Sequence, residues 1–180
     1  MQTVGNRMQK MLARLDEIVD FMVALSVSGE RLHKLDLLWS EFASLQNVWR
    51  VLSGCEDLLL LTSKAQVMAV DLQAIQIEVG EYVETIEQEA KKNDKVSLIA
   101  SARAHLQQIH DEVLMMECLQ SKHLRTKDWE EFYGLLQKRF GLNLGQSNPY
   151  NPTLTIGLLR ERKATELNSE VSELVVRAKK

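Results

Sequence analysis

Residues 65–90 read AQVMAVDLQAIQIEVGEYVETIEQEA, and the spacing of their apolar side chains decides the fold. Met68, Leu72, Ile75, Val79, Tyr82, Val83 and Ile86 recur at steps of three and four, the repeat of one helix face. A strand would alternate apolar and polar side chains, and this stretch does not. The pattern predicts a helix from about Ala65 to Ala90. Lys91-Lys92 and then Asn93-Asp94 mark its end: cations suit the negative end of a helix dipole, and Asn and Asp form turns.

The same period runs outward in both directions. Upstream, Met8, Met11, Leu12, Leu15, Ile18, Val19, Met22 and Val23 form a first stripe that stops near Ser26-Val27-Ser28-Gly29. A second holds Leu32, Leu35, Leu38, Phe42, Leu45, Val48, Trp49 and Leu52, and Ser53-Gly54 weakens it before Leu58 to Leu61. Downstream, Val96, Ile99, Leu106, Ile109, Val113, Leu114 and Met116 mark a fourth helix. Trp129, Phe132, Tyr133, Leu136 and Phe140 mark a short aromatic fifth. Both prolines of the chain and two of its glycines then fall within residues 141–152, a loop. Thr153 is the expected N-cap of a sixth helix beginning with Leu154, Leu158 and Leu159. Val171, Leu174, Val175 and Ala178 belong to a seventh, or to its continuation.

The expected fold is therefore all-α: an elongated antiparallel bundle, or helical hairpins, of about six to seven helices. Its divisions are a long-helix bundle at 1–140, the proline-containing loop at 141–152 and a C-terminal helical segment at 153–180. That last segment holds more apolar surface than one short element can hide. It must dock on the fourth and fifth helices or lie exposed. With 45% hydrophobic and 26% charged residues, the composition is that of an ordinary folded protein. A net charge of −3 with interspersed signs gives no electrostatic footprint for nucleic acid or for an anionic membrane. No apolar run is long enough to cross a bilayer. Cys55 and Cys118 lie far apart, without metal spacing, as in a reducing compartment such as the cytoplasm.

Catalytic chemistry is missing motif by motif. No glycine is followed by lysine, so no P-loop ends here. There is no Gly-x-Gly-x-x-Gly, no Gly-x-Ser-x-Gly and no Cys-x-x-Cys. His105 and His110, five residues apart, point about 140° apart on a helix and cannot share a metal. Glu130-Glu131, Glu87 with Glu89, and Asp111-Glu112 read as solvated faces, not acid/base pairs. Lys122, Arg125, Lys127, Arg160, Arg162 and Lys163 offer an acidic partner a surface. Their plainer reading is exposed charge on helix faces. The expectation is a chain with no catalytic residue, no cofactor and no metal.

Several segments carry a family likeness. Leu124-Arg125-Thr126-Lys127-Asp128-Trp129-Glu130-Glu131-Phe132 resembles the Leu-Arg-x-Arg-His-Trp element of dynein heavy chains, with Lys127-Asp128 where the family has Arg-His. Thr153-Leu154-Thr155-Ile156-Gly157-Leu158-Leu159 resembles the family's Thr-Leu and Leu-Leu element, and Leu167 to Ala178 the helix that closes on an alanine. Upstream, Leu45 to Leu52 with Trp49 and Val70 to Ala90 are similar to its leucine-rich and acidic helices. The likeness covers roughly residues 35–180. The residues that carry it (Leu124, Arg125, Trp129, Phe132, Thr153, Leu154, Leu158 and Ala178) are packing residues.

The resemblance implies a mechanical and scaffolding segment of the tail-to-linker region, without an ATP site of its own. The implied partners are the rest of the heavy chain, with its linker and motor ring, and other dynein subunits or heavy chains. The implied setting is the cytoskeleton in the cytoplasm or in the axoneme of a cilium. A stand-alone helical adaptor that binds a partner's helix is the rival reading. The end at Val175-Val176-Arg177-Ala178-Lys179-Lys180, in mid-pattern, is what a piece of a longer chain would show.

Overall fold

The computed structural model describes residues 29–92, 97–145 and 147–180, together with 14, 17, 18, 20 and 21. The stripe from Met8 to Val23 lies, apart from Ile18, outside the described residues. Among the described residues from 29 onward there are six α-helices: α1 (Gly29–Ser63), α2 (Leu72–Lys92), α3 (Ser97–Leu119), α4 (Thr126–Phe140), α5 (Ile156–Glu161) and α6 (Asn168–Ala178). Short 3-10 turns occupy Val67–Ala69 and Ala164–Leu167. No strand forms among the described residues; a single antiparallel bridge joins Gln66 to Thr155. The fold is all-α, as the period of the apolar residues requires.

The chain divides into two compact units, Met1–Gln46 and Asn47–Lys180. In the first, Leu37, Leu38 and Leu45 are exposed, and the rings of Trp39 and Phe42 sit 6.5 Å apart. In the second, α1 buries Val48, Val51, Leu52, Cys55 and Leu58, one helical face, and leaves Trp49 half exposed. The buried stripe is thus turned by one position from the one the sequence suggests. Ser53-Gly54 does not weaken the helix. A Cβ at Gly54 would overlap the Tyr82 hydroxyl, so the glycine is where α2 comes close enough to touch α1.

Antiparallel neighbours build the rest of this unit. Asn47 on α1 donates to Glu89 near the end of α2 at 2.8 Å. Lys92 lies 3.0 Å from the same carboxylate, which satisfies a glutamate only 3% exposed. Between α2 and α3, Gln76 meets Glu117 and Glu87 meets Arg103, the crossed order of a hairpin. α6 runs back along α4 in the same sense, Glu170 to Arg139 and Arg177 to Glu131. These pairs lie at the surface, where water and salt screen them, and they contribute little. The core between the helices holds the fold together.

Helix ends differ from the sequence expectation in one place with consequences. α2 starts at Leu72, not near Ala65. Asp71 Oδ1 accepts from the Ala74 N–H at 3.1 Å and ends the non-helical run. Gln66 and Val70 are extended, and Gln120 Nε2 donates to the carbonyls of Val67 and Val70 at 2.7 and 3.0 Å. A side chain fifty residues away therefore takes up backbone groups that helix would have used. α4 is terminated locally: Gly141, at φ 66°, donates to Gln137 O at 2.9 Å, with Leu142 reaching Leu136 O.

The segment beyond the proline loop docks. Leu154, Ile156, Leu159, Ala164, Leu167, Val171, Leu174 and Val175 are all buried, and α6 packs on α3 and α4. Of the two outcomes open to it, docking holds and exposure does not. α5 and α6 are separate helices, parted by Lys163 in the left-handed region (φ 54°).

Trp129 is 3% exposed and meets Phe132 edge-on, ring centroids 5.8 Å apart. Trp129→Ala is expected to cost about 3–5 kcal/mol in chemical denaturation. Lys127→Ala and Glu130→Ala, on the exposed side of α4, should each cost about 0.5 kcal/mol or less. Equal losses from all three would show that the aromatic face does not hold the helix.

Candidate functional site

A charged residue on an apolar stripe is the place to start. Glu112 falls between Ile109 and Val113 on the buried face of α3, and is 7% exposed. Such a carboxylate needs a partner, and Arg160 of α5 supplies it. Arg160 Nε and Nη2 lie 2.7 and 2.8 Å from the two oxygens of Glu112, a bidentate fork. Its Nη1 donates to the carbonyl of Leu59 at 2.6 Å, and Nη2 also donates to Thr62 Oγ1 at 2.9 Å. Thr62 in turn donates to Leu58 O at 2.8 Å, which frees its lone pairs for the guanidinium.

Leu59 and Thr62 belong to the last turn of α1, which contains no basic residue of its own. The dipole favours a cation there. Arg160 supplies it from about a hundred residues away. Two more contacts fasten the same place. The Ile156 N–H donates to Ala65 O at 3.0 Å, and a Cβ on Gly157 would strike the carbonyl of Ser63. α5 therefore lies directly on the end of α1.

Asn151 and Asn168 set the approaches to this clamp. Asn151, 4% exposed, donates to Leu144 O at 2.9 Å and accepts from the N–H and hydroxyl of Thr153 at 2.9 and 2.6 Å. Asn168 donates to Asp111 O at 3.0 Å, while its Oδ1 is buried without a partner. The loop between α4 and α5 is also held by Tyr133, whose hydroxyl donates to Asn148 O at 3.0 Å.

The residues singled out in the sequence take these places. Trp129, Phe132 and Leu154 are buried in the core, Leu124 packs half-buried against it, and Leu158 and Ala178 are half-buried. Arg125 is exposed at the start of α4, where its N–H donates to Asp128 Oδ2 at 2.7 Å. Thr153 is exposed and is not the cap: Thr155 Oγ1 accepts from Leu158 N at 3.2 Å. Asn151 holds Thr153 two residues short of the helix. Arg160, grouped by sequence with exposed charge, is the most consequential residue missed. Its position beside Leu159 and four after Ile156 places it on the inward side of α5, and Glu112 on the α3 stripe was the matching signal.

The arrangement fixes helices; it has no room for a substrate. Beside the clamp, Leu58, Leu59, Thr62, Ile75, Ile109 and Glu112 surround a cavity of about 10 Å³, no larger than one water. A more open groove of about 400 Å³ runs between α2 and α3, with Val79, Ile86 and Leu106 in its floor and the Arg103–Glu87 pair on its rim. Burial, followed by the charge of Glu78, pushes the Cys55 thiol up to about 11. Burial, followed by Glu117, raises Cys118 as well. Neither is a thiolate at neutral pH, so neither is a ready nucleophile. His105 bonds the Ser101 carbonyl of its own helix at 2.8 Å. Among the described residues no group of His, Cys, Asp and Glu is placed to hold a metal, and no helix is long and apolar enough to cross a membrane.

A family model, described as dynein heavy chain, N-terminal region 2, matches residues 35–180. No curated protein and no solved structure gives a match. The matched stretch includes every residue of the clamp.

Breaking the clamp from one side leaves a buried charge. Arg160→Ala is expected to lower stability by about 3–5 kcal/mol. The double change Arg160→Met with Glu112→Leu should cost no more than about 2 kcal/mol, since both charges leave together and the groups that lose a partner (the Leu59 carbonyl, Thr62 Oγ1 and Gln108 Nε2) are neutral. Urea midpoints would measure both. A double variant as damaged as the single would show that the arginine acts by packing and not by charge.

Proposed function

The chain belongs to the dynein heavy chain family, through its N-terminal region 2, and on that footing we propose that it is a non-catalytic mechanical and scaffolding segment of the tail-to-linker region in a microtubule-based motor. The clamp is the observation that carries this reading. Arg160 ties the end of α1 to α3 and α5 by four short hydrogen bonds, which is how helices are held in fixed relation. The partners are then the remainder of the heavy chain, its linker and motor ring, and other subunits or heavy chains. The setting is the cytoskeleton, with the axoneme of a cilium as the more specific version. ATP turnover belongs to the motor ring of the parent chain, not to this segment.

A second reading draws on a different observation. Leu37, Leu38 and Leu45 are exposed on α1 within the first unit, and apolar residues of this kind suit a module that receives another protein's helix. In the motor reading the same residues meet other parts of the heavy chain.

Two measurements test the proposal. Titrated with ATP and magnesium at micromolar concentrations, the purified chain should show no saturable binding and no hydrolysis, since no phosphate loop is present in its sequence. In a heavy chain carrying this segment, Gly157→Ala should slow microtubule gliding while leaving basal ATP turnover within about two-fold. Unchanged gliding would remove the mechanical role, and lost basal turnover would point to a part in the chemistry.

A further inference from the structure

Residues 153–163 are anchored at both ends and fastened in the middle. At one end the buried Asn151 holds Thr153 through two hydrogen bonds. At the other, Lys163 adopts φ 54° and leads into Ala164 and Leu167, both with 0% exposure. Between these points the segment touches the end of α1 three times. Arg160 caps Leu59 and Thr62, Ile156 donates to Ala65, and Gly157 lies against Ser63. α5 itself is six residues long, too short to hold helical form without such contacts.

We propose that residues 153–163 form a strap that opens and closes as one unit with residues 58–66, the end of α1 and the turn after it, before the rest of the second unit unfolds. The closed state carries identifiable costs. A non-glycine residue in the left-handed region and a desolvated ion pair both favour release. Against them stand Leu154, Ile156 and Leu159 and the clamp's hydrogen bonds. The reciprocity follows from sharing: α1's last turn takes its cation from the strap, and the strap takes its acceptors from α1. Neither half is satisfied without the other, so neither opens alone. The α2–α3 hairpin is hydrogen-bonded to the strap through Glu112, and it stays closed when the strap opens. The strap rests on the chain's own geometry, and its test is independent of the motor reading.

Native-state hydrogen exchange of the full chain in low urea, read residue by residue, tests this. In the unmodified protein the amides of Thr62, Ser63, Ile156 and Leu159 should share one denaturant dependence and exchange at least about ten-fold faster than those of Ile86 and Leu106. Arg160→Met should speed all four together by about ten-fold or more, with a denaturant dependence that stays smaller than that of Ile86 and Leu106. Should Arg160→Met fail to fold, Arg160→Lys, which keeps the charge but not the fork, should show the same pattern in smaller measure. Separate denaturant dependences for the two halves would overturn the proposal. So would acceleration confined to Ile156 and Leu159, or a denaturant dependence of the four amides equal to that of Ile86 and Leu106.

Discussion

A guanidinium group placed among carbonyls has few ways to be comfortable away from water, and Arg160 uses the strictest of them. Its planar fork fixes the position of Glu112 on α3, and its remaining donors reach the end of α1. Once that geometry is set, much else loses its freedom. α5 must lie flat on α1, so residue 157 can carry no side chain. The chain before it turns at Pro152 and Thr153, where Asn151 holds Thr153 back, and is extended at Thr155. The chain after it must turn at once, and Lys163 takes the left-handed conformation to do so. The apolar core supplies most of the free energy, but it would tolerate several placements of a six-residue helix. The clamp admits one.

Most of the fold was legible because amphipathic helices announce themselves by period. α2, α3 and α4 appear where apolar residues recur at three and four, and Gly141 ends α4 as local chemistry dictates. What local reading misplaced depended on distant residues. The run before Leu72 has helical spacing, yet Gln120 takes the carbonyls of Val67 and Val70 and holds it as a 3-10 turn with extended ends. Gly54 reads as a weak point from sequence and is a contact with Tyr82 in the fold. In both cases the deciding atom lies on another helix.

The clamp was legible only in halves. Glu112 sits where an apolar residue belongs on α3, and Arg160 sits beside Leu159 on the inward side of α5. Each alone resembles surface charge. Nothing in one sequence says that the two meet, because 48 residues and two turns separate them. Trp129 and Phe132, by contrast, needed only their own helix to be read, and both are buried against each other.

One feature of the loop bears on how the protein ages. Asparagine side chains decay chiefly by closing onto the backbone nitrogen of the next residue, a reaction that needs an N–H there. Asn148 and Asn151, which hold the path into α5, are each followed by proline, whose nitrogen has no hydrogen. The amides that accept from Tyr150 and Thr153 are thereby shielded from spontaneous conversion to aspartate or isoaspartate. The two prolines give the turn chemical durability as well as shape. In a chain that persists for long periods without replacement, the entry to the clamp would keep its original atoms.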